Sequence, residues 1–433
     1  MERQYKDSGI EWIGRIPKEW KTCKLNYVYR FQTGATPPTN NEVYFDGNIK
    51  WASIADLKSK VINDTAKTLS KEGVEKCSMS ISPKGSLMYS FKLSVGIVSF
   101  CGEDMYTNEA IATFLNGYGY LPFLYYMAPL AIIQNANYNI YGAPILNQEL
   151  IKGATIIVPP LPEQQQIVEF LDKKCSEIDS LIALQEQMIA QLTDYKQSVI
   201  TEAVTKGLNP DAQLAPSGID WIDTIPKGWK NVRFYYSNWI RGRLGWKGLK
   251  SEEYTESGYP FLSAFNIINN KLDWSDINYI NLERYDESPE IKLNEGDILL
   301  VKDGAGIGKC ARIDELPLGE STVNSSLAVI TPKAFLNYKY LYYYLQSNSF
   351  WSIINLLLVG MGVPHLTQTN MKNIKMPLPP LEEQVAIAEY LDTKCGEIDR
   401  LIETKRQKIE TLKEYKKSVI YEAVTGKTDL RDS

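Results

Sequence analysis

The stretch of this chain that looks most like a phosphate cradle is DGAGIGKC, residues 303–310. A P-loop needs Gly-x4-Gly-Lys-Ser/Thr, but here residue 303 is Asp and Cys310 follows Lys309. A dinucleotide-binding turn needs GxGxxG, whereas Gly304, Gly306 and Gly308 give GxGxG. Both templates fail, which leaves a tight glycine turn between two strands. Glu290-Ile291-Lys292 matches the E-x-K half of a nuclease site, a string that arises by chance among 52 acidic and 47 basic residues. The Pro-Pro pairs at 159–160 and 379–380 are flanked as VPPL and LPPL, not as the NPPY or DPPY of a methyltransferase loop. His365 is the only histidine, so a His ligand set or a pair of His acid–base groups is excluded. Contact within a binding loop is one role open to it, beside none at all. The six cysteines stand apart without a CxxC, and reduced thiols in a cytoplasm are expected.

Charge is the more informative local signal. No acidic residue occurs from Thr224 through Ser251, a span that holds Lys227, Lys230, Arg233, Arg241, Arg243, Lys247 and Lys250. Its centre, WIRGRLGWKGLK (239–250), interleaves cations with glycine and tryptophan. Arginine can fork onto phosphate or guanine, glycine lets backbone approach a ligand, and Trp246 offers a flat apolar face. A solvated basic loop is the bland alternative. The first half of the chain has a weaker version: Trp20 to Asn41 is free of acid, with Lys21, Lys24 and Arg30 leading into Thr33 and Gly34. Net charge over the chain is −5, so a nucleic-acid surface must be local.

Those residues must be positioned by something, and the sequence shows what. Residues 8–20 (SGIEWIGRIPKEW) match 217–229 (SGIDWIDTIPKGW) at 9 of 13 positions. Residues 163–205 match 383–425 at 25 of 43 positions. The unit is a constant head, a variable body and a constant helix, present twice. Each helix opens after a Pro-Pro pair, with Glu163 or Glu383 in its first turn, where the dipole favours anions. Spacings then alternate by four and three through Leu171, Cys175, Ile178, Ile182, Gln185, Ile189, Leu192, Lys196, Val199 and Ala203. The second copy repeats them as Leu391, Cys395, Ile398, Ile402, Lys405, Ile409, Leu412, Lys416, Val419 and Ala423. That is a heptad seam, and a twofold relation between the copies predicts antiparallel pairing with Gln185 and Lys405 near the centre.

The bodies read as mixed α/β. GNIKWASI (47–54), SLMYSF (86–91) and GDILLVK (296–302) predict strands, and FLYYMAPLAII (123–133) and YLYYYLQSNSFWSII (340–354) each predict a helix. Matching loops, GAPILNQ (142–148) and GVPHLTQ (362–368), close each body, with Ile145 standing where the second copy has His365. The longest apolar run, 123–133, is too short to span a bilayer, and the opening MERQYKDSGIEW has no apolar leader core. Neither a membrane segment nor export is expected.

Taken together, the heads, the GDILLVKDGAGIGK strand-turn, the GVPHLTQ loop and the PPLEEQ helix resemble the specificity subunits of type I restriction–modification enzymes, nearly end to end. The resemblance implies an α/β (mixed α+β) chain with two target-recognition domains, 1–158 and 208–378, held apart by helices at 159–207 and 379–433 that form an antiparallel coiled coil. It implies double-stranded DNA as ligand, with each domain reading half of a bipartite site. It further implies two methyltransferase subunits as partners, and ATP-dependent restriction subunits in the full enzyme. S-adenosylmethionine, ATP and Mg2+ would then belong to those partners; no cofactor and no catalytic residue is expected on this chain. A coiled-coil scaffold without DNA readout is the rival reading.

Overall fold

The computed structural model describes residues 3–243, 249, 251–304, 306–358 and 365–430. The chain divides into two units, Met1–Leu184 with Lys408–Ser433, and Gln185–Gln407. The first unit is therefore completed by the end of a helix that lies far away in sequence, while the second is one continuous segment.

In the first unit, a five-stranded sheet runs in the order Phe31–Thr33, Ile111–Phe114, Leu87–Ser90, Val98–Cys101, Val61–Ile62, antiparallel except for its last pair. All four residues of Leu87–Ser90 are buried, because both faces are covered. Leu87 and Tyr89 join the cluster that includes Phe123, Leu124 and Met127 of the helix Leu121–Ala131, while Met88 joins Ala52, Ile62 and Cys101 on the other face. A small sheet pairs Phe45–Ala52 in parallel with Tyr106–Thr107 and antiparallel with Thr68–Leu69.

The second unit is built the same way. Its four-stranded antiparallel sheet runs Asn238–Arg241, Leu327–Pro332, Ile298–Val301, Cys310–Arg312. Ile298 and Leu300 face one cluster, Leu299 and Val301 the other. Tyr259–Leu262 again pairs in parallel with a short strand, here Thr322–Val323. The glycine stretch is a turn between antiparallel strands, as expected, with Gly304 and Gly308 at positive φ. One expectation is corrected. The single helix expected over 340–354 is two, Tyr338–Gln346 and Asn348–Leu358. Ser347 lies extended between them; its hydroxyl accepts from Phe350 N and its carbonyl from Trp351 N. A serine that can cap a new helix competes with continuation of the old one.

Each head is an antiparallel pair, Tyr5–Asp7 with Arg15–Pro17 and Leu214–Ile219 with Ile222–Pro226. A second pair leads into each long helix: Lys21–Lys24 with Thr155–Val158, and Lys230–Arg233 with Lys375–Leu378. The helices follow as Leu161–Lys206 and Leu381–Val424. Every seam position predicted above is buried or half-buried, while Leu181, Leu184 and Leu401, which lie off the seam, are exposed. The pairing is antiparallel inside each unit. Lys416 contacts Asp179 at 2.7 Å in the first unit, and Lys196 contacts Asp399 at 2.6 Å in the second. Lys405 Nζ donates to Gln185 Oε1 at 3.4 Å, so the two mid-seam polar residues meet.

Candidate DNA interface

Thr33 ends the outer strand of the first sheet and accepts from Gln148 Nε2 at 2.9 Å. Gln148 opens a short helix capped by Asn147. Gly34 follows so close to Thr107 that a Cβ would stand 1.7 Å from its carbonyl oxygen. In the second unit Gly242 takes the equivalent place, with a Cβ position 3.2 Å from Gln368 Nε2. Thus both bodies join the end of their first sheet strand to the helix after the closing loop. Glutamine at 148 and 368 was absent from the candidates, although its repetition at an offset of 220 residues was visible in the sequence.

Around this edge lie the remaining candidates. In the first body, a hairpin of Asn137–Tyr138 and Pro144–Ile145 exposes Tyr138, Ile140 and Tyr141. Asn139 Oδ1 holds its tip by accepting from Tyr141 N and Ala143 N, each at 2.9 Å. In the second, His365 bridges to Asp303 of the glycine turn, backbone to backbone and through the ring Nδ1 against the carboxylate. Burial raises the Asp303 pKa, but contacts with Lys302 and His365 outweigh it and hold the group below its ordinary value.

The cationic candidates fall into distinct groups. Lys21 and Lys24 are exposed on the strand that leads to the long helix, with Lys24 Nζ donating to Thr155 Oγ1 at 3.0 Å. Arg30 is exposed, its guanidinium 4.7 Å from the Tyr118 ring centre. Arg241 is engaged internally: it meets the fully buried Asp297 at 2.7 Å and donates to the carbonyls of Glu290 and Lys292 at 3.2 and 2.9 Å. Arg243, with its side chain 5% exposed, pairs with Glu287 at 3.4 Å. Trp246, Lys247 and Lys250 lie outside the described residues. The structure therefore groups Thr33 and Gly34 with the closing loop of one body. It groups His365 with the glycine turn of the other, and puts Lys21 and Lys24 on a separate strand.

Among the described residues no group of three or more potential metal ligands converges. Burial pushes the Cys101 thiol up to about 12 and the Cys395 thiol up to about 11, away from reactivity. Glu290 sits in a short 3-10 turn, and Lys292 pairs with Asp286 at 2.5 Å, so the E-x-K string serves the local fold.

Comparison with known proteins decides the family. The model of the type I restriction modification DNA specificity domain matches twice, over residues 17–194 and 245–414. The chain belongs to the type I DNA specificity family. The first match takes in one body and most of its helix; the second begins after the strand Asn238–Arg241 and takes in the rest of the other body and most of its helix. The type I restriction enzyme MjaVIII specificity subunit of Methanocaldococcus jannaschii is 24% identical over 424 residues, 96% of this chain and 95% of that protein. The EcoKI specificity subunit of Escherichia coli is 27% identical over 208 residues, 47% of this chain and 44% of its own length. A solved chain of a type I R-M system superposes with a TM-score of 0.70 at 19% identity, covering 95% of this chain and 99% of the other. The HsdS subunit from Thermoanaerobacter tengcongensis gives 0.50 at 18% identity, over 95% and 98%. These superpositions extend the shared fold to nearly the whole specificity chain.

Proposed function

We propose that this chain is the DNA-recognition subunit of a type I restriction–modification complex, with 1–158 and 208–378 as target-recognition domains. Each reads one half of a bipartite site on double-stranded DNA. The observation that carries the reading is duplication with divergence: the heads, the strand pair before each long helix and the helix seam recur, while the sequences of the bodies between them differ. Two different readers on one scaffold suit a site with two unlike halves. Thr33, Gly34 and His365 lie at the edges described above; Lys21, Lys24, Arg30, Lys247 and Lys250 serve as the phosphate-contacting candidates.

The helices are the assembly surface. Three large apolar residues stay exposed at the same places in both copies: Leu161 and Leu381, Leu181 and Leu401, Tyr195 and Tyr415. Exposed apolar surface repeated in this way suits two identical partners. We infer that these are methyltransferase subunits using S-adenosylmethionine, joined in the full enzyme by restriction subunits using ATP and Mg2+. Among the described residues no helix is long and apolar enough to cross a membrane. A cytoplasmic site of action fits a DNA target.

Expressing the chain with its methyltransferase subunit in a host lacking both, then mapping methylated adenines across the genome, tests the reading. One two-part motif with a constant spacer is expected. An undivided motif, or no new methylation by an assembled complex, would show the reading to be wrong.

A further inference from the structure

Asp172 and Asp392 occupy equivalent turns of the two long helices, each directly after the first leucine of its seam. Asp392 accepts from Arg312 at 2.6 Å, from Lys339 at 3.0 Å and from the Tyr343 hydroxyl at 2.6 Å. Asp172 accepts from Lys60 and from the Tyr126 hydroxyl, both at 2.5 Å. The two tyrosines come from the corresponding helix of each body. The cations do not correspond. Arg312 ends a sheet strand and Lys339 starts a helix, whereas Lys60 lies just before the strand Val61–Ile62. Two bodies of diverged sequence thus supply a cation and a phenol to one helix carboxylate by different routes.

These contacts stand where packing is incomplete. A cleft of about 510 Å³ opens between body and helix beside Asp392, and one of about 830 Å³ beside Asp172. Apolar contact alone is non-directional and would leave this flank free to pivot. Charge-assisted hydrogen bonds fix direction as well as distance. A partly buried ion pair adds little net stability but can select one geometry among several.

We propose that Asp172 and Asp392 are specificity-determining positioning residues: each locks its body at one angle on its helix, and together they set how strictly the complex demands one spacer length between half-sites. The inference rests on the two-reader function above. Asp392 holds three donors with its side chain 26% exposed, while Asp172 holds two at 42%. The Asp392 lock is accordingly the firmer one, since solvent screens an exposed pair.

The test uses the complex with its methyltransferase subunits. Once the wild-type site is mapped, methyl transfer is measured on duplexes that keep both half-sites and carry the normal spacer or one base pair more or less. Asp392→Ala should keep both half-site sequences, while its preference for the normal spacer over its neighbours falls at least about tenfold. Asp172→Ala should relax it less, and Asp392→Glu should recover most of the loss. Unchanged spacer preference in an Asp392→Ala complex that assembles and melts like wild type sinks the proposal. Should that variant not assemble, Tyr343→Phe and Arg312→Met each remove one donor. A stepwise loss of preference then supports the lock, and wild-type preference in both overturns it. A wild-type complex that methylates no two-part site defeats the recognition reading and this inference together; a two-part site with unaltered variants defeats only the inference.

Discussion

The indole nitrogen of Trp20 donates to Glu163 Oε2 at 2.9 Å, tying the head of the first unit to the first turn of its long helix. Trp229 and Glu383 repeat the bond at the same 2.9 Å. Beside them Gln164 and Gln384, both buried, donate to the carbonyls of Pro159 and Pro379 at 2.8 and 2.9 Å. The constant head and the constant Pro-Pro-x-x-Glu-Gln string are two sides of one joint. That explains why both persist where the bodies diverge.

Glu383→Ala should therefore destabilise the second unit. It leaves the buried indole of Trp229 without an acceptor and removes an anion from a helix start, at a cost of about 1–3 kcal/mol. Thermal unfolding should show a clear fall in midpoint, and Glu383→Gln, which keeps an acceptor, should recover part of it. A midpoint equal to wild type in the alanine variant would make the bond incidental.

Arg241 was expected to face DNA, and its internal partners lead to a different measurable result. Removing it leaves Asp297, which is fully buried, without its counter-charge, so Arg241→Ala should cost about 3 kcal/mol or more of stability in urea titration. Its effect on DNA affinity should then track the loss of folded protein. A variant of full stability with weakened binding and a flatter salt dependence would instead place this guanidinium on phosphate.

The repeated exposed leucines make stoichiometry the readout for partner docking. Leu181→Glu and Leu401→Glu each put a charge in one of two equivalent patches. Each single variant should bind one methyltransferase subunit in place of two, and the double variant none, by mass measurement of the assembled complex. Full assembly of the double variant would move the docking surface elsewhere.

Acid should loosen the Asp392 joint. Burial raises its pKa, but hydrogen bonds from Tyr343, Arg312 and Lys339 outweigh that and hold it below the ordinary value. Because the folded pKa is the lower one, the joint adds stability above the unfolded value of about 3.9 and loses it as pH falls through the folded one. Stability against urea should drop more steeply below about pH 4 in wild type than in Asp392→Asn. Parallel curves for the two proteins would mean that this carboxylate does not contribute.

The seam was legible residue by residue, because its period is local and each of its positions needs only a neighbour three or four residues away. The strands around Leu87 and Ile298 were legible for the same reason. What escaped were relations between distant residues. The partner of Arg241 lies 56 residues on, so a basic stretch reads identically whether its cations face solvent or a buried carboxylate. The break at Ser347 was hidden because the apolar run continues on both sides of it. The Gln148–Thr33 contact joins residues 115 apart at the two ends of a body, which no local pattern connects.

The antiparallel seam also says how spacing can be changed without touching a reader. Adding residues to one helix alone would put the seam of the other out of phase. Adding one heptad to each helix, after Leu184 and after Gln407 where the two units divide, keeps every seam residue on the seam. Seven residues at 1.5 Å each lengthen the helices by about 10 Å. At about 3.4 Å per base pair, the spacer of the recognised site should grow by about three pairs. Both half-site sequences should stay as they were, because the edges carrying Thr33, Gly34 and His365 are untouched. Methylation mapping of the double-insertion variant decides it: altered half-site bases, or an unaltered spacer in an active complex, would mean that the helices do not measure the distance.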